Sequence, residues 1–107
     1  MNNNIKGCFY FIKTINGNLI GEFINNKIDK HIVESANLAD SENNNNFKGI
    51  YTTIWLQGKV AHKAKLVITE KENTYLLEWF EMNIKGDKMF EGIAKIENGI
   101  LKGQYND

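Results

Sequence analysis

The sequence predicts an all-β protein: a small antiparallel up-and-down β-barrel of about eight short strands, closed or nearly closed. Three observations predict it. First, runs of alternating apolar and polar residues are separated by turn signals at Asn16-Gly17, Gly58, Gly86-Asp87 and Asn98-Gly99. Asn-Gly between such runs is a strong hairpin signal, because both residues accept the positive φ of a type I′ turn. Second, the chain contains no proline, so no residue lacks the N–H that a strand ladder needs, and the turns fall to glycine and asparagine. Third, there is a weak internal repeat with a period of about 42 residues.

The repeat joins Ile5-Lys6-Gly7-Cys8-Phe9, Phe47-Lys48-Gly49-Ile50-Tyr51 and Phe90-Glu91-Gly92-Ile93-Ala94. Each copy reads large apolar, charged, glycine, apolar, then apolar or aromatic. The first and third copies continue through Asn-Gly into Leu19-Ile20-Gly21-Glu22-Phe23 and Leu101-Lys102-Gly103-Gln104-Tyr105. This divides the chain into two three-stranded units and a final hairpin. Strands are expected at 5–13, 18–25, 28–36, 47–57, 60–70, 74–83, 88–97 and 100–105. Closing the meander would remove the exposed edges of an open sheet.

The third strand is the ambiguous element. Ile28, Ile32, Ala36 and Ala39 recur at helical spacing, which admits an alternative: an antiparallel sheet with one covering helix at 27–40. Read as a strand, Ile28, Ile32 and Ala36 share a face interrupted by Lys30 and Glu34, opposite His31 and Val33. The β-branched pair Ile32-Val33 and the three-strand unit favour the strand. Segment 37–46, ending in four asparagines, reads as a loop.

Alternation assigns the faces, since successive side chains of a strand point to opposite sides. The inward set is Ile5, Gly7, Phe9 and Phe11; Leu19, Gly21 and Phe23; Phe47, Gly49, Tyr51, Thr53 and Trp55; Val60, His62, Ala64, Leu66 and Ile68; Tyr75, Leu77 and Trp79; Phe90, Gly92, Ala94 and Ile96; and Leu101, Gly103 and Tyr105. The inward glycines fit tightly coiled strands, a reading preferred here to a cavity. The outer face keeps Cys8, Tyr10 and Ile12 and the apolar rows Ile50, Ile54, Leu56, Leu76, Phe80 and Met82. An exposed apolar patch of that kind predicts a homo-oligomer.

Composition bounds the function. The 107 residues suit one domain, residues 1–107, and one core. Lys plus Arg and Asp plus Glu are 13 each, so there is no basic surplus for nucleic acid. The single cysteine, Cys8, excludes an intramolecular disulfide framework. No apolar run is long enough for a membrane helix, and the polar start lacks a secretory pattern, so a cytoplasmic location is expected. Phosphate loops, Cys-x-x-Cys, His-Glu-x-x-His and nucleophile elbows are absent. Two histidines alone are poor evidence for a metal, because zinc takes at least three protein ligands, and no cofactor is expected.

His62 stands out as a polar residue on an inward apolar row, able to orient a ligand or to rest at the rim. Glu78 is expected to face out and pair with Lys63 or Lys65, though it would be an interior acid if its strand were inverted. His31 is expected on the surface. The inward aromatics form a core first, and are also what lines a pocket for a flat apolar ligand.

In strand count and patterning the chain is similar to avidin-like and lipocalin-like small barrels. The signature residues of neither family are present, so no binding residue is carried over from them. The functional expectation is non-catalytic binding of a small, partly apolar ligand at one barrel mouth. Phe9, Phe11, Tyr51, Trp55, Trp79 and Tyr105 would form the pocket, Thr53 and His62 the polar contacts, and the 37–46 loop a lid. The alternative is a protein-interaction module, an inhibitor or immunity-type partner, using the apolar outer face.

Overall fold

A computed structural model describes residues 4–39 and 46–107. The strands are β1 (Lys6–Lys13), β2 (Leu19–Asn25), β3 (Ile32–Leu38), β4 (Gly49–Gln57), β5 (Val60–Lys71), β6 (Thr74–Glu81), β7 (Lys88–Glu97) and β8 (Ile100–Asn106). Each pairs antiparallel with the next, and β8 returns to β1, so the sheet is a closed barrel. The covering helix is not needed: residues 32–38 are strand, and no helix occurs among the described residues.

β3 begins four residues later than the expected 28. Asn25 ends β2 and its carbonyl accepts the Ile28 N–H, so residues 26–31 form the connection. Ile28 is half-buried against the core from this connection. Within β3 the inward row is Ile32, Glu34, Ala36 and Leu38. The acid that interrupted the apolar row therefore lies inside the barrel.

The core follows the alternation of the other strands. Phe11, Leu19, Tyr51, Leu66, Leu77 and Leu101 are at most 1% exposed. Burying each such side chain contributes about 1.5–3 kcal/mol. Trp55 and Trp79 both point inward and are buried. The expectation fails at Val60 and Ile96, which are 59% and 47% exposed. Both stand beside hairpin turns, where the strand ends have no opposite wall to pack on.

The repeat's glycines mark places where strands approach closely. A Cβ on Gly21 would collide with the Tyr10 carbonyl oxygen, and one on Gly7 would meet the Tyr105 ring at 2.7 Å. The space is already filled by backbone and rings, which accords with coiling rather than with added room. The Asn98-Gly99 turn has φ values of 54° and 80°, as a type I′ hairpin requires. Gly99→Ala is expected to cost about 1 kcal/mol through its positive φ alone, since nothing lies within 4 Å of the added Cβ. A urea midpoint shift with an unchanged m-value would show it.

The end of the barrel near the β1–β2 and β5–β6 turns is plugged. The Tyr51 hydroxyl donates to the Phe47 carbonyl at 2.8 Å, Phe47 packs edge-on against Tyr75, and Lys13 Nζ donates to the Asn46 carbonyl at 2.5 Å.

On the outer surface, Ile50, Ile54, Leu56 and Met82 are exposed, while Leu76 and Phe80 are half-buried. The outer row of β5 carries Lys63 opposite Ile54 and Lys65 opposite Phe80. Lys65 Nζ lies 5.4 Å over the Phe80 ring, a cation–π contact. Glu78 faces out as expected but does not take the expected partner. Its β5 neighbour is Val67, and it pairs with Lys88 of β7 at 3.3 Å. The ladder register sets Lys65 opposite Phe80 and Lys63 further along, so neither stands directly across from Glu78.

Candidate functional site

The other end of the barrel is open. The β2–β3, β4–β5 and β6–β7 connections surround a mouth cavity of about 160 Å³, lined mostly by apolar groups. Its walls are aromatic. Phe9 meets Trp79 edge-on at 5.6 Å, Phe23 meets Trp55 edge-on at 5.9 Å, and Tyr105 packs against Phe9, Phe23, Trp79 and Phe90. These rings come from six strands, so their arrangement exists only once the barrel closes.

A register shift between Trp79 and Phe80 of β6 shapes one side. Trp79 pairs with Phe90 and Phe80 with Lys88, which leaves Met89 as the extra residue of a β-bulge in β7. Met89 and Phe90 consequently both line the cavity. Simple alternation would have placed Met89 outside.

Glu34 forms part of the lining and is only 3% exposed. Its Oε2 accepts two hydrogen bonds, from Thr53 Oγ1 at 2.5 Å and from Trp79 Nε1 at 2.9 Å. Among the described residues no donor is placed on Oε1. Burial pushes the Glu34 carboxyl up to about 7, with the Thr53 and Trp79 donors opposing the rise. Around neutrality, small changes in surroundings therefore change its charge.

Tyr105 supplies a second polar point. Its hydroxyl accepts from Asn25 Nδ2 at 2.9 Å, while Asn25 Oδ1 accepts the Lys27 N–H at 2.8 Å. Burial raises the Tyr105 phenol above its ordinary value. His62 is half-buried at the rim and stacks on Trp55, with centroids 5.4 Å apart and planes at 13°. The rim is tied by main-chain bonds: Asp107 N–H to the Ile5 carbonyl at 3.2 Å and Asn26 N–H to the Lys6 carbonyl at 3.0 Å.

Of the expected pocket residues, Phe9, Trp55, His62, Trp79 and Tyr105 line the cavity together. Thr53 lies beneath it and reaches it through Glu34. Phe11 and Tyr51 are fully buried core and do not line it. Residues 40–45 of the expected lid lie outside the described residues, and its flanks Leu38 and Phe47 stand at the plugged end.

No family model, curated protein or solved structure matches the chain. The functional reading therefore rests on the mouth itself.

Sequence reasoning passed over Asn25, Lys27, Glu34, Gln57 and Met89 among the lining residues. A signal for Glu34 existed in its parity with Ile32 and Ala36. Met89 had none, because a bulge leaves no local mark in this segment. No group of three or more His, Cys, Asp or Glu side chains is placed to hold a metal ion among the described residues. No helix among them is long and apolar enough to cross a membrane.

Proposed function

We propose that the protein binds a small, partly apolar molecule in the open mouth of the barrel and performs no chemistry on it. The observation that carries this reading is an aromatic-walled cavity whose polar residues, Asn25, Lys27, Glu34, Gln57, His62 and Tyr105, are the minority of its lining. Ligand sites combine those two features, apolar walls for affinity and a few polar points for orientation. The hydrogen-bonded rim supports a cavity present before binding, which lowers the ordering cost of association.

Trp55 and Trp79 serve as internal reporters because both line the cavity. Titration with the small neutral nitroaromatic dye 4-nitroanisole, a single ring that the cavity admits, is expected to quench tryptophan emission saturably at one dye per chain. In a backbone NMR titration the shifts should concentrate on mouth residues and spare Phe11 and Tyr51. No saturable response to the dye or to a panel of small aromatic compounds would remove the reading.

A second reading is supported by the exposed Ile50, Ile54 and Leu56 on the outer face of β4: contact with a second copy or a foreign protein. Sedimentation of a clean monomer at high concentration would eliminate the homo-oligomer.

A further inference from the structure

Glu34 presents an imbalance that the fold does not resolve. A carboxylate has two oxygens, and here the chain directs two donors at Oε2 and leaves Oε1, in a residue 3% exposed, without a partner among the described residues. Buried polar atoms nearly always have a partner, and a buried charge is costly without one. Glu34 lines the cavity, so the missing partner can come from a bound molecule. Burial disfavours the ionised carboxylate while the Thr53 and Trp79 donors favour it, so a cation placed on Oε1 would tip the group to its charged form and supply the partner that the buried charge needs. The surrounding rings of Trp55, Trp79 and Tyr105 suit the same ligand, because aromatic faces attract organic cations.

We infer that the bound molecule carries a protonated amine, or an equivalent cationic N–H group, which docks on Oε1 of Glu34 while its apolar body lies among the aromatic walls. This rests on the ligand-binding reading above and names its ligand class. A cavity of about 160 Å³ limits the body to a small ring system with a short chain. The other charged or titratable groups lining the site are Lys27 from the β2–β3 connection, His62 from β5 and Tyr105 from β8. Strands β1, β4, β6 and β7 contribute only uncharged groups: Phe9; Trp55 and Gln57; Trp79; Met89 and Phe90. Lys27 is solvent-exposed, so water screens its charge from a cation deeper in the mouth.

The test uses three near-isosteric probes: phenethylamine, 2-phenylethanol and phenylacetate. Each is titrated by NMR into the intact chain, its Glu34→Gln variant and its His62→Gln variant. At about pH 8 the amine is expected to bind wild type at least about tenfold more tightly than the alcohol, with phenylacetate weakest. Lowering the pH to about 5.5 protonates Glu34 and should reduce the amine's advantage at least about tenfold. The loss should persist in His62→Gln, which separates it from the rim imidazole. In Glu34→Gln the amine should have no advantage at either pH. If that variant does not fold, the wild-type pH series still decides.

Alcohol or phenylacetate binding as tightly as the amine, or an amine advantage that survives acid, overturns the inference while the cavity reading stands. Failure of all three probes, with the neutral dye still bound, does the same. Failure of the dye and of all three probes removes both.

Discussion

Glu34→Gln is expected to make the ligand-free barrel more stable than wild type by about 3 kcal/mol at pH 8, and the difference is expected to vanish near pH 4.5. The sign follows from the direction of the shift. In the folded chain the carboxyl holds its proton up to about 7, whereas its ordinary value is 4.5. Between those values the folded state binds a proton that the unfolded chain has released. The stability this group contributes is fully present below the unfolded value and is lost as the pH rises through about 7. At about 1.4 kcal/mol per pH unit, that interval gives the stated difference. Glutamine stays neutral, and its carbonyl can accept from Thr53 and Trp79 as Oε2 does. Urea denaturation of both chains across this range measures the gap. Parallel stability curves would show that Glu34 is not held in the environment described here. A fold that gives up this much stability at neutral pH fits a group retained for binding, since a cationic ligand would restore the loss by mass action.

The second large effect falls on the backbone. Gly21→Val is expected to destabilise the barrel by roughly 3 kcal/mol or more, enough to leave a domain of this size substantially unfolded. The new Cβ would overlap the Tyr10 carbonyl oxygen and stand 2.9 Å from Phe11 Cδ1. Neither can withdraw easily, because Tyr10 is paired on one side with Glu22 and on the other with Lys102 in the closed ladder. Gly103→Val should behave alike, since its Cβ would collide with the Ile93 carbonyl and the Ala94 side chain. Circular dichroism and urea unfolding would measure both. A Gly21→Val chain within about 1 kcal/mol of wild type would show that the strands can separate there without loss of closure.

Most of the architecture was legible from local patterns. His62 to Ile68 and Phe90 to Ala94 alternate cleanly, and Asn98-Gly99 marks a hairpin, so strand identity and facing were readable wherever one face is apolar and the other charged. Legibility failed where a polar residue sits inside. Glu34 looks like a break in an apolar row, and only the tertiary fold shows it to be buried. Five of the eight expected pocket residues do meet at one mouth. Phe11 and Tyr51 share their parity with mouth residues but lie deeper, because alternation reports in or out and carries no information about depth along the barrel axis. The Glu78 partner was misread for a related reason: a strand's charge pattern does not state its register against its neighbours.

By itself, the sequence determined the number of strands, the hairpin turns and which apolar side chains turn inward along the strand interiors, because these depend on backbone preferences and on the period-two alternation of a single strand. Tertiary structure alone decided that the sheet closes, that one end is plugged by Phe47, Tyr51 and Lys13 while the other stays open, and that Thr53, Trp79 and Glu34 meet. Those contacts join residues on three different strands. Their energies depend on distances set by ladder register and by the bulge at Met89, which no local run of residues encodes.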